Sequence, residues 1–388
     1  MTMVGAILAW TALSLVAYVY VGYPAILWLA SRVYRRPVTS GTDTPRVTLL
    51  ISAFNEAEVI YRKLENSLFL DYPKGRLEIL VISDASTDAT DQIVASFAGR
   101  GVQLLRMPTR GGKTVGLNAA FRQATGDIVV FSDANILYRP DTVRCLVKNF
   151  ADPEVGCVTG DSQYLEGSDL AAHVQETAYW GYERMIRTME SHIGSTVGGD
   201  GAIFAIRRHL YQALAPEAIN DLVIPLQIVG AGYRAIFEPS AVGIEPSAGN
   251  FKKEFRRKRR IVNRSWRGVM SVRHVLNPFG AGVFAWQVWS HKVLRWLVLP
   301  FVLVAAAGCI VAATRGWEYQ VGAWGFLASL VLAGIGAILP ERGGVLFRLA
   351  HGMFYFYLVN LAAMLGVLRA LNGQVEMVWA PERSAGGS

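Results

Sequence analysis

Apolar positions in this chain are gathered at its two ends, while the middle alternates short apolar runs with stretches of mixed character. Four runs, residues 3–30, 296–313, 321–340 and 349–368, approach the ~20 apolar residues needed to cross a hydrocarbon core and predict four membrane spans. Between the first and second, β-branched runs at 47–53, 77–83, 102–107, 127–132 and 155–160 predict strands. Segments of helical period at 57–67, 88–99 and 113–124 separate the first four. Such alternation predicts an α/β domain, a mostly parallel sheet with helices on both faces, with transmembrane helices at both ends of the chain. The expected division is a transmembrane anchor over 1–31, a soluble domain over 46–245, a basic amphipathic segment over 250–292, three transmembrane helices over 293–370 and a tail over 371–388.

Charge turns this pattern into a topology. Arg32, Arg35 and Arg36 follow the first apolar run instead of preceding it, so that run reads as an anchor and not as a cleaved signal peptide. By the positive-inside rule these arginines, and the basic cluster from Lys252 to Arg273, put the soluble middle in the cytoplasm. The expected protein is multi-pass in the inner (plasma) membrane, with both termini outside. Its net charge of +8 is concentrated just ahead of a span, which favours membrane lipids or a phosphate-bearing substrate over nucleic acid as the partner. Cys145, Cys157 and Cys309 are too scattered for a metal or redox motif and read as free thiols.

In open α/β sheets ligands bind beyond the carboxyl ends of the strands, and here those ends are strongly polar. The first strand runs into Phe54, Asn55 and Glu56, and the second into Asp84 and the run SDASTDAT, where Ser86 or Asp88 is expected to cap the next helix. Capping leaves Asp84 over, placed to bond a nucleobase imide or a ribose hydroxyl. Gly111, Gly112 and Lys113 open a helix whose N-terminus favours anions, although a plain glycine turn reads as well. Asp133 and Asn135 offer two oxygen donors at i and i+2 after a strand, a light site for Mg2+ or Mn2+ that would lean on a diphosphate for affinity. Asp200 lies among glycines, either in a backbone crossing or on an acceptor surface, and Asp221 is either a helix cap or a general base. From 251 to 268 dense arginine interrupts Phe251, Phe255, Ile261, Val262 and Trp266, which predicts an amphipathic helix in the headgroup region whose arginines also suit a pyrophosphate.

This series, in this order, resembles the family 2 inverting glycosyltransferases of GT-A fold, in the membrane-embedded branch of the cellulose, hyaluronan and chitin synthases, over residues 47–296. The resemblance implies donor contacts from Phe54, Asn55, Glu56, Asp84, Lys113 and Asp133, a metal on Asp133 and Asn135, and Asp221 as the base that deprotonates the acceptor. It implies acceptor or diphosphate contacts from Asp200, Arg260, Arg264 and Trp266. Asn135 stands for the second carboxylate of the D-x-D motif, and Asn220 for the usual neighbour of the base. The Q-x-x-R-W motif is reduced to Asn263, Arg264, Ser265 and Trp266, with its spacing off by one. The expected reaction is a single displacement from a nucleotide-sugar donor, a UDP-sugar being favoured, to a glycan or lipid-linked acceptor. Transfer to a polyprenyl phosphate and a non-catalytic nucleotide-sugar scaffold are the alternatives. Trp286, Trp289, His291, Lys292 and Arg295 would help line a channel in a secreting synthase.

Overall fold

The computed structural model describes residues 1–165, 170–246, 251–339 and 344–375. The tail beyond 375, with its one arginine, Arg383, lies outside the described residues.

The chain opens with helices α1 (Thr2–Ala17) and α2 (Tyr23–Val33), joined without a break by a wider π-helical turn over Tyr18–Gly22. The soluble domain then runs β1 (Val47–Ala53), α3 (Ala57–Leu68), β2 (Leu77–Ser83), α4 (Thr90–Ser96), β3 (Val102–Arg106), α5 (Lys113–Phe121), β4 (Ile128–Asp133), β5 (Leu137–Tyr138), α6 (Thr142–Val147), β6 (Val155–Leu165), α7 (Leu170–Ile193), β7 (Ile203–Arg207), α8 (Asn220–Gly230) and β8 (Arg234–Pro246). Helix α9 (Phe251–Ser271) leads through α10 (Pro278–Ala281), α11 (Val283–Val288) and α12 (Leu294–Trp296) to α13 (Val298–Ala312), α14 (Trp317–Ile338) and α15 (Val345–Leu371).

The strands form one sheet in the order β3-β2-β1-β4-β7-β6-β8-β5. Its first half is parallel as expected, and β6 runs parallel to β8. Strands β7 and β5 enter antiparallel, so the sheet is mixed. Both faces are buried, and successive residues feed opposite cores: Leu49 and Ile51 pack with α3 and α6 on one side, Leu50 with α5 and α8 on the other. Phe131 of β4 pairs with Phe204 of β7, and their rings stack at 4.2 Å, which locks the crossover from parallel to antiparallel pairing. In register, Ser52 pairs with both Ile82 and Asp133, so β1, β2 and β4 end on one line and deliver their following residues to one edge.

Three helical stretches, Thr2–Val33, Trp317–Ile338 and Val345–Leu371, are long and apolar enough to cross a membrane. The expected span at 296–313 differs: Val283–Trp296 and Val298–Ala312 form a pair bent by 64°, because the turn at Leu297 breaks the helical ladder. Helix α1 packs on α13 where Gly308 admits the backbone of Ala9; a Cβ there would lie 2.7 Å from the Ala9 nitrogen. The basic helix expected after the soluble domain is α9, which turns Val262, Asn263, Ser265 and Val269 inward and packs along α15 and α8. The juxtamembrane strap is tied to the soluble domain: the Arg36 amide donates to His192 O at 2.7 Å, and buried Arg234 donates to the carbonyls of Arg36 and Pro37.

Candidate active site

The edge formed by β1, β2 and β4 is stitched by side chains bonded to backbone. Asn55 adopts a left-handed conformation (φ 52°), tolerable for asparagine, and its Oδ1 accepts the Thr87 amide at 2.8 Å. Asp88 caps two neighbouring helices, accepting the Ala57 amide at the start of α3 at 3.1 Å and the Thr90 amide at the start of α4 at 3.0 Å. Ser86 turns instead to Asn55, accepting its amide. Glu56 is buried at the start of α3, and its backbone amide donates to Thr90 Oγ1. The Arg110 guanidinium lies 3.8 Å above the ring of Phe54, a flat stacked pair at the outer lip.

Asp84 receives the glycine turn. Its two carboxylate oxygens accept the amides of Gly111 at 2.8 Å and Gly112 at 2.9 Å. Gly112 needs its missing side chain, because its φ is +86°. This turn aims Lys113 inward, where Nζ donates to Asp133 at 2.5 Å and to Gly201 O at 2.9 Å. The Asp133 side chain keeps 36% of its exposure and faces the cleft. Asn135 extends its amide to Glu245 at 3.4 Å.

Opposite this pair, Asp221 stands in the first turn of α8. Its carbonyl accepts the Gly199 amide at 2.6 Å, and a Cβ on Gly201 would lie 3.1 Å from its Oδ2, so the glycine loop closes directly over the carboxylate. Asp221 Oδ1 is buried with no hydrogen-bond partner among the described residues. Burial raises its pKa above the usual aspartate value, against the pull of Lys113, Arg264 and Lys292 and with the help of nearby Asp200. Asp200 is also raised, again mainly by burial, while its Oδ1 accepts the Ala202 amide. Arg264 is half-buried and engaged with protein: it donates to the carbonyls of Glu217 and Ala218, just ahead of α8, and to Thr114 Oγ1. Arg260 lies one turn earlier on the same helix and adds positive charge beside Arg264. Trp266 packs against Trp296 at 6.1 Å, at the end of α12. The structure thus brings Asp84, Lys113, Asp133, Asp200 and Asp221 to one cleft, with Phe54, Asn55 and Glu56 at its lip and Arg264 behind it.

Two residues of this cleft escaped the sequence reading. Lys63 of α3 is fully buried beneath the turn that carries Asp133, donating to Ser132 Oγ at 2.7 Å and Ile136 O at 2.8 Å. Its signal was a lysine on the buried stripe Ile60, Lys63, Leu64 and Ser67. Glu245 had no local signal, since β8 reaches β5 only through the sheet.

Residues 48–214 match the family model described as Glycosyl transferase family 2. The chain is 28% identical over 235 residues to the probable glycosyltransferase YdaM of Bacillus subtilis, covering 56% of this chain and 54% of that protein. It is 23% identical over 241 residues to the poly-beta-1,6-N-acetyl-D-glucosamine synthase of Staphylococcus aureus, covering 58% of each. The chain therefore spans just over half the length of these relatives. Among solved structures, a mannosyltransferase from Pyrobaculum calidifontis in complex with GDP-Man and Mn2+ superposes with a TM-score of 0.67 at 26% identity, over 94% of this chain and 99% of that one. The fold is GT-A. The matched region belongs to glycosyl transferase family 2, and its relatives include a polysaccharide synthase.

Proposed function

We propose that this protein is an inverting glycosyltransferase that moves a sugar from a nucleoside-diphosphate sugar to a glycan or lipid-linked glycan at the cytoplasmic membrane face. The observation that carries the proposal is the Asp221 carboxylate, held half-buried beneath a glycine loop with one oxygen unsatisfied, across a cleft from the Lys113–Asp133 pair. A buried carboxylate with a raised pKa is a stronger base than a solvated one, and its unsatisfied oxygen has the capacity to accept an acceptor hydroxyl once the glycine loop that covers it admits one. Attack from that side expels the diphosphate toward Lys113, so one displacement inverts the anomeric carbon. Asp84 holds the glycine turn from which Lys113 projects, and the Phe54–Arg110 pair offers a flat lip for the nucleobase.

Asp133 and Asn135 are oxygen donors of the kind hard cations take, and Asp133 is exposed toward the cleft. Among the described residues no three His, Cys, Asp or Glu side chains form a metal cage, so Mg2+ or Mn2+ bound here would draw the rest of its shell from the diphosphate and water. Such an ion neutralises charge on the leaving group. The Pyrobaculum mannosyltransferase, bound to GDP-Man and Mn2+, supports this reading. The basic face of α9 beside the cleft supports an acceptor presented at a lipid surface.

The test is turnover of labelled UDP- and GDP-sugars by purified membranes with Mn2+ or Mg2+, comparing the wild type with Asp221→Asn. The variant should bind donor normally and lose ~10²- to 10⁴-fold in transfer, the range of a general base. Near-wild-type transfer by the variant overturns the assignment, and the label's partition between organic extract and polymer identifies the acceptor.

A further inference from the structure

A second group of charges lies outside the cleft, buried between the membrane helices and the soluble domain. Glu183 is 2% exposed, Glu190 0% and His291 1%. Charges so deep persist only when fully paired, and these are. Glu190 Oε1 accepts the Tyr23 hydroxyl at 2.5 Å and faces His291 Nδ1 at 2.8 Å. His291 Nε2 meets Glu183 at 3.1 Å, and Arg295 closes the far end on Glu183. The other oxygen of Glu190 points into the soluble domain, where it accepts the Val197 amide at 3.0 Å and Thr196 Oγ1 at 3.1 Å.

Val197 directly precedes the glycine loop. Gly198 turns at φ +86°, and the Gly199 amide then donates to Asp221 O at 2.6 Å. One short path of hydrogen bonds therefore runs from the first membrane helix, through Tyr23, Glu190 and Val197, to the backbone of Asp221. A second observation falls in the same place. Both wide π-helical turns of the chain's described residues, Tyr18–Gly22 and Trp289–Val293, meet here, with Tyr18 Oη 2.7 Å from Ser290 Oγ and accepting from Trp286 Nε1 at 2.7 Å. Such turns insert an extra residue and re-aim side chains, a device frequent at functional sites. In the second turn His291 points to the glutamates while the Lys292 side chain lies against Gly198.

We infer that Glu190, held by Tyr23 and His291, is a positioning residue that sets the glycine loop over Asp221, and that the first membrane helix is thereby part of the active-site frame as well as an anchor. The inference rests on Asp221 lying in the transfer site. The donor side, built on β1, β2 and β4, shares none of the bonds made by Tyr23, Glu190 and His291, and meets the glycine loop at its far end, where Lys113 donates to Gly201 O. The network therefore acts on the turnover of bound donor ahead of donor affinity.

The test uses full-length protein in nanodiscs, with Tyr23→Phe as the mild variant, Glu190→Gln as the stronger one, and deuterium exchange at the Val197 and Gly199 amides as a readout independent of chemistry. Tyr23→Phe should lower kcat about 5- to 10-fold, the loss of one buried hydrogen bond, with donor KM unchanged and exchange at both amides faster. Glu190→Gln should lower kcat further. Wild-type kcat in Tyr23→Phe, or an equal loss of donor affinity and kcat, overturns the positioning role. Faster exchange with unchanged kcat overturns it while leaving Asp221 as base untouched, and an active Asp221→Asn variant would fail the transfer site itself.

Discussion

At the scale of single residues, the cleft works by setting one carboxylate against its surroundings. Burial pushes the Asp221 pKa up, and Lys113, Arg264 and Lys292 pull it down. A base whose pKa is raised is ionised only above that value, so kcat/KM should rise with pH along an acid limb displaced above the ~3.9 of a free aspartate. Removing a cation in Lys292→Met should move that limb to higher pH, measured as a kcat/KM profile under saturating metal. A limb that stays put or moves down would mean that another group controls it. Asp84, Lys113, Asp133 and Asp221 were legible because each follows a strand or opens a helix, positions where a polar side chain has a local reason to be noticed. Lys63 and Glu245 were not, because their partners come from other elements.

Among elements, α3 carries the clearest energetic consequence. Desolvation lowers the Lys63 pKa to about 7, against the opposing pull of Asp133. The unfolded chain holds its proton up to ~10.4, so between these values the unfolded state binds more protons and stability must rise with pH, by up to ~1.4 kcal/mol per unit. Below about 7 both states are protonated and the contribution is flat. Thermal unfolding in detergent across this range should show the rise in the wild type and its loss in Lys63→Met; an unchanged slope would place the titration elsewhere. Strands β1 and β2 were readable to the residue, since both faces are buried and the apolar runs end abruptly in turn residues. The helix expected over 88–99 is shorter, Thr90–Ser96, because the chain tightens into a 3₁₀ turn before Gly101 at φ +88°. The antiparallel insertion of β7 was not readable, because strand direction depends on where α7 returns the chain.

For the whole molecule, the proposed orientation has a direct check. Cys145 is a free, half-buried thiol of the soluble domain, whereas Cys157 and Cys309 are buried. A membrane-impermeant maleimide should label Cys145 in inverted vesicles and not in intact cells, with the signal lost in Cys145→Ser. Labelling from outside would reverse the topology. The sequence alone determined which segments are apolar enough for a membrane, which strands form the parallel core and which polar residues stand at their ends, because each follows from periodicity and charge within a short window. Tertiary structure decided which of these ends share a cleft, how Gly201 closes on Asp221, and that Val283–Trp296 and Val298–Ala312 are bent by 64° where one straight span was expected. It also decided that Tyr23 reaches Glu190 across 167 residues, since a buried carboxylate needs hydrogen-bond donors and nothing local to either residue specifies which donor the fold will bring.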